Sequence, residues 1–149
     1  MATVDLRQFH QTFFEESLEG LDGMEEALLA LESGAEDPEL VHTIFRAAHS
    51  IKGGAATFGF ADLAAFTHVL ESLLEEVRGG RRAADGETVE LLLQSVDCMR
   101  GMLARSRDGG AVADAASARI RSAARRPASS GTGCAASTTS MWRVGVAWP

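Results

Sequence analysis

No apolar run in the 149-residue chain reaches the ~18 residues that a membrane-spanning helix needs. The first residues, Met1-Ala2-Thr3-Val4-Asp5, lack the basic-then-apolar layout of a secretory signal. These two absences lead us to expect a cytoplasmic protein without membrane insertion. Cysteine is scarce. Cys98 in a helical pattern and Cys134 in a small-residue tail form neither a metal-ligand spacing nor a disulfide framework, and Cys98 reads as a small buried hydrophobe. Positive charge is scarce as well: residues 1–108 carry 20 acidic and 9 basic side chains, residues 109–149 carry 1 and 5, and the net charge is −7. Such an acidic body has no face with which to neutralise nucleic-acid phosphates. There is no P-loop, no dinucleotide fingerprint and no serine–histidine–aspartate arrangement. No strand-period alternation competes with the helical spacing found throughout. What remains is 46% hydrophobic, enough for the core of one domain.

Glycine and proline divide this material into helices. From Asp5 to Leu31 the apolar residues Phe14, Leu18, Leu21, Met24, Leu28 and Leu31 recur at spacings of three and four, with Leu6, Phe9 and Phe13 as a second stripe. Ser33-Gly34 ends this segment. Asp37-Pro38 pairs an N-cap acceptor with proline at the first helical position, and Leu40, Val41, Ile44, Phe45, Ala48, Ile51 and Ala55 form the buried face of a second helix. Thr57-Phe58-Gly59-Phe60 makes the next turn, with Gly59 free to adopt a left-handed conformation. A third helix, Ala61 to Arg78, buries Leu63, Phe66, Leu70, Leu73, Leu74 and Val77 and stops at Gly79-Gly80. Asp85 caps a fourth, with Val89, Leu92, Leu93, Val96, Met99 and Leu103 inward. Four helices of ~17–27 residues on short loops predict an all-α, antiparallel up-and-down four-helix bundle. A weak fifth helix, within 109–126, runs from about Ala111 to Arg125 with Val112 and Ile120 as its larger apolar groups. Residues 1–108 are then the bundle and 127–149, rich in small polar residues, a linker or tail.

The chemistry-bearing residues gather at the second and third helices. At 100° per residue His49 lies roughly 130° from the centre of its helix's buried face, with Lys52 about 60° from His49 on the boundary. On the third helix His68 and Glu71 share a solvent-facing strip by the same reckoning. A tight turn makes the two helices antiparallel neighbours, with His49 ten residues before Gly59 and Glu71 twelve after it. At ~1.5 Å per residue the two stand at similar height, so His49, Lys52, His68 and Glu71 can converge on one exposed patch. A carboxylate that accepts one imidazole N–H fixes the tautomer and makes the other nitrogen the nucleophile. Lys52 would offset the charge of an incoming phosphoryl group. Gly53 and Gly54 would leave room for a partner, with Ala56, Ala64 and Val69 on the docking rim. A His-x-x-Glu pair can also ligate a metal, but matching carboxylates from other helices are missing. His10 and His42 have no such company and read as surface or boundary residues.

Ile44-Phe45-Arg46-Ala47-Ala48-His49-Ser50-Ile51-Lys52-Gly53-Gly54-Ala55, followed by Phe58-Gly59-Phe60, resembles the N-terminal histidine phosphotransfer (HPt, or P1) domains of the chemotaxis histidine kinase CheA. The likeness runs from Phe9-His10-Gln11-Thr12-Phe13-Phe14-Glu15 through Thr67-His68, Glu71, Leu73-Leu74 and Arg78-Gly79, and covers residues 4–107. It implies a helical bundle of about five helices in which His49 is phosphorylated, Lys52 and Glu71 flank it, and His68 joins their hydrogen-bond network. It also implies a phosphocarrier that is no enzyme by itself, phosphorylated in trans by a kinase ATP-binding domain and serving a CheY-type response regulator. ATP and magnesium then belong to the partners, and the chain holds no cofactor or metal of its own. A docking-only bundle that has lost phosphotransfer is the alternative.

Overall fold

The computed structural model describes residues 5–109 and 115–127. Three of the four long helices start where a side chain can take an orphan N–H. Asp5 accepts from the Arg7 amide ahead of α1 (Leu6–Glu32), and Asp37 accepts from Glu39 ahead of α2 (Pro38–Thr57). Asp85 accepts from Thr88 ahead of α4 (Gly86–Arg107), whereas α3 (Ala61–Arg78) begins at Phe60 without a side-chain cap. The stops are equally local: Gly34, Gly59, Gly80 and Gly109 all take positive φ, a conformation that glycine alone adopts without steric cost. A fifth helix, α5, spans Ala115–Ala124; Val112, expected within it, lies outside the described residues.

Short connections force each helix to return along its predecessor. α1 packs on α2 and α4, α2 on α3, and α3 on α4, which closes the expected up-and-down bundle. α5 then covers the α3–α4 seam, where Ile120 and Ala124 join the main core. That core is built from fully buried side chains on all four long helices, among them Met24, Ile44, Phe66 and Met99. Arg100 ties α4 to α1 by ion pairs to Asp22 (2.6 Å) and Glu25 (2.9 Å).

Several expected core positions differ. Leu18 is 36% exposed, because it sits about 100° round α1 from the centre of the whole buried face, which runs from Phe14 through Leu21, Ser17 and Met24 to Ala27. Leu6 and Phe9 are also exposed. With 27 residues against 20 in α2, α1 runs past the α2–α3 turn, and its first turns have little to pack on. Met102, unread in the sequence, is buried, while Leu93, Leu40 and Phe45 are only partly so. Cys98 is also partly buried against the core.

An aromatic cluster locks α1 to the α2–α3 turn. Phe13 lies between 5.4 and 5.7 Å, centroid to centroid, from Phe14, Phe58 and Phe60, and His10 meets Phe58 edge-on at 4.9 Å. The cluster decides what the two glycines do. A Cβ on Gly54 would stand 2.5 Å from two carbons of the Phe13 ring, whereas one on Gly53 would meet nothing within 4 Å. Gly54 therefore admits α1, and only Gly53 is bare surface; the expectation that both leave room for a partner is corrected. Three rings flank Phe13 and limit how far it can step aside. Gly54→Ala is expected to destabilise by about 1–2 kcal/mol net of its gain in helix propensity. Gly53→Ala is expected to stabilise by about 0.5–1 kcal/mol. Urea unfolding checks both, and equal shifts of one sign would contradict the packing argument.

Candidate functional site

The three-residue turn between α2 and α3 sets their register, and with it the site. His49 and Glu71 come level, and His49 Nδ1–H donates to Glu71 Oε1 at 2.7 Å. Lys52, one turn along α2, brings its ammonium against Glu71 Oε2. The imidazole remains open, with 64% of the side chain exposed, whereas Glu71 is 13% exposed. Glu71 was expected on a solvent-facing strip; it is covered because Lys52 and His49 close over it from the neighbouring helix.

Burial alone would raise the Glu71 carboxyl above its ordinary value. The hydrogen bonds and charges of Lys52 and His49 outweigh burial, and the net shift is downward. Glu71 is thus an ionised, acceptor-only carboxylate at neutral pH. An acceptor-only partner requires the proton on Nδ1, which leaves the lone pair on Nε2. That nitrogen has no hydrogen-bond partner among the described residues, and a polarised, outward-facing imidazole is what nucleophilic attack requires.

Of the four residues expected to converge, the structure joins three. His68 is exposed, and its ring makes no hydrogen bond to His49, Lys52 or Glu71. One turn nearer the connecting turn than Glu71, it stands level with Lys52. An ammonium has only donors to offer, and Lys52 bends instead to the carboxylate. The expected docking rim also divides. Ala56 is exposed, and Ala64 is partly buried on the side of α3 that carries Glu71. Val69 does not belong with them: two residues from Glu71, it points about 160° away round the helix, and it packs partly against the core.

Two groups beside the site went unread. The Phe45 ring, assigned to the core, lies 14° from parallel with the His49 ring at a centroid distance of 6.2 Å. The Arg78 guanidinium sits 4.2 Å from the Phe45 centroid. The i, i+4 spacing of Phe45 and His49 was the available signal for the first; nothing local announces the second. No group of three or more His, Cys, Asp or Glu side chains that could hold a metal ion occurs among the described residues. No described helix is long and apolar enough to cross a membrane.

An imidazole raised on one helix of an antiparallel hairpin and backed by a carboxylate from the other defines a histidine phosphotransfer bundle. The chain belongs to the Hpt domain family, whose model matches residues 8–109. Among its relatives are the chemotaxis protein CheA of Rhizobium meliloti, 40% identical over 117 residues, and that of Salmonella typhimurium, 46% identical over 101. These matches cover 78% and 68% of this chain but about 15% of either relative's length. Two solved structures, each 30% identical in sequence, share the fold. The phosphorylated P1 domain of CheA3 in complex with CheY6 from R. sphaeroides aligns with a TM-score of 0.73, over 79% of this chain and 93% of that one. A solution structure of the histidine phosphotransfer domain of CheA aligns at 0.68, over 87% and 98%.

Proposed function

We propose that this chain is a phosphocarrier in a chemotaxis-type two-component system, with His49 as the phosphorylated residue. The observation that supports this best is the 2.7 Å contact of Nδ1 with Glu71 beneath an otherwise open imidazole ring. The donor is ATP, held with magnesium by a kinase ATP-binding domain acting in trans. The Nε2 lone pair forms the N–P bond as the bond from the γ-phosphorus to the bridging oxygen breaks, and ADP leaves with that electron pair. The Nδ1 proton stays in place, so the phosphoimidazole keeps its hydrogen bond to Glu71. Lys52 lies one turn away, where its charge offsets that of the arriving group. In the second half-reaction an aspartate oxygen of a CheY-type response regulator attacks the phosphorus and the bonding pair returns to Nε2. The chain binds no cofactor itself. Its place is the cytoplasm, near a chemoreceptor cluster through the parent kinase.

The test mixes this chain with radiolabelled ATP, magnesium and the ATP-binding domain of a CheA kinase. Acid-labile, base-stable label on the chain is expected, and its absence from folded protein would leave the docking-only alternative. The second half-reaction carries its own expectation. A regulator must bring its aspartate to His49, so the contact covers Gly53 and Ala56. Signalling contacts of this kind bury under ~1,200 Å² in total and do not tolerate a bulky insertion. Gly53→Trp should label normally from a small donor such as phosphoramidate, stay folded, and fail to pass phosphoryl to the regulator. Wild-type transfer rates would displace the docking surface from this face.

A further inference from the structure

The row of groups formed by His49, Phe45 and Arg78 has no part in the reaction as described so far. Phe45 stands four residues before His49 on the same face of α2, with the ring geometry given above. Across the groove Arg78 is itself held: its Nη2 donates to both carboxylate oxygens of Glu75 at 2.9 Å. The His49 side chain, by contrast, is 64% exposed and anchored at one ring nitrogen. One hydrogen bond fixes a point, and the imidazole can still tilt about it, because the χ2 torsion of histidine is broad. A flat neighbour, the Phe45 ring, stands on the side away from Lys52.

We infer that Phe45 is a positioning residue for the phosphoacceptor, with Arg78 clamping Phe45 from α3. The Phe45 face holds the imidazole so that Nε2 points along the line on which a docked kinase domain presents the phosphoryl group. The inference rests on the phosphotransfer reading of His49. Its consequence separates Phe45 from Glu71. A small donor reaches Nε2 from any direction, so ring aim matters little to it. A kinase-bound donor comes from one direction only, and aim decides its rate. Glu71 sets the nucleophilicity of the ring and is felt by both donors.

The experiment measures labelling of the full chain with phosphoramidate and, separately, with a CheA ATP-binding domain and magnesium-ATP at saturating chain. The proteins are wild type, Phe45→Leu, Phe45→Tyr, Arg78→Gln and His49→Gln. Phe45→Leu is expected to lower kcat with the kinase domain about three- to tenfold, as the ring spreads over its broad χ2 range. Its phosphoramidate rate should stay within about twofold of wild type. Phe45→Tyr, which keeps the flat face, should restore kcat, and Arg78→Gln should fall between. The His49 ring protons should move downfield in Phe45→Leu as shielding by the phenyl ring is lost. A wild-type kcat in folded Phe45→Leu, an equal loss with both donors, or a rise in KM alone overturns the inference. Should Phe45→Leu fail to fold, Arg78→Gln, which removes only a groove-side guanidinium, decides by the same kcat and phosphoramidate comparison. Label that persists in His49→Gln with both donors would instead overturn the phosphotransfer reading itself.

Discussion

His49→Gln is expected to abolish phosphorylation by a kinase ATP-binding domain, while His10→Gln and His42→Gln still accept label. The four histidines have different surroundings. The His10 ring is packed on Phe58 and Phe60 at 4.9 and 5.8 Å, and His42 is half-buried. His68 is exposed but has no carboxylate on its ring. His49 couples an open ring to an ionised acceptor at 2.7 Å, which fixes the proton on Nδ1 and presents Nε2. His10→Gln should lower the melting temperature through lost ring packing without loss of label per folded molecule. His68→Ala should slow labelling mildly at most. Label counted by autoradiography beside circular dichroism of each variant checks the set, and undiminished label on His49→Gln would refute the assignment.

Removing the carboxylate is the second large effect. Glu71→Ala is expected to slow labelling of His49 about 10- to 100-fold, the usual consequence of deleting the acceptor that orients a functional imidazole. The bundle should stay folded, at a cost of about 0.5–1 kcal/mol, because both partners of Glu71 are partly solvated and such pairs contribute modestly. The same contact predicts a pH dependence. With its carboxyl held below the ordinary value of 4.5, Glu71 is ionised in the folded state at pH values where the unfolded chain begins to protonate. Its stabilisation is complete above about pH 4.5 and disappears as pH falls through the lower, folded-state value. The difference in stability between wild type and Glu71→Gln should therefore be largest near neutrality and close in acid. A difference that holds unchanged down to pH 2 would mean that the Glu71 charge does not carry it.

Much of this site was legible because its ingredients are local. His49 and Lys52 share one helix, and their exposure follows from angular distance to the apolar stripe. The level pairing of His49 with Glu71 needed only a tight turn and a constant rise per residue. The reading strained wherever a side chain's role depended on what lies opposite. Two adjacent glycines look alike in sequence, yet the Phe13 ring covers one and nothing covers the other. Glu71 faces outward on its own helix and is sheltered only because α2 supplies Lys52 and His49. Val69, expected on the docking rim, is turned away from Glu71 by helical phase alone.

The amino-acid sequence by itself determined the helices, their order and their antiparallel return. Caps, positive-φ glycines and a three-to-four-residue apolar period are each decided within a few residues along the chain. It also determined that His49 is a surface histidine. The tertiary structure alone decided that one oxygen of Glu71 holds His49 while the other meets Lys52, and that the Lys52 ammonium turns to Glu71 and leaves the ring of His68 without a bond to the site. It also decided that Gly54 serves α1 and that Arg78 reaches Phe45. Each of these is a contact between helices, set by the depth and azimuth at which two packed surfaces interlock, and that relation is written in no single segment.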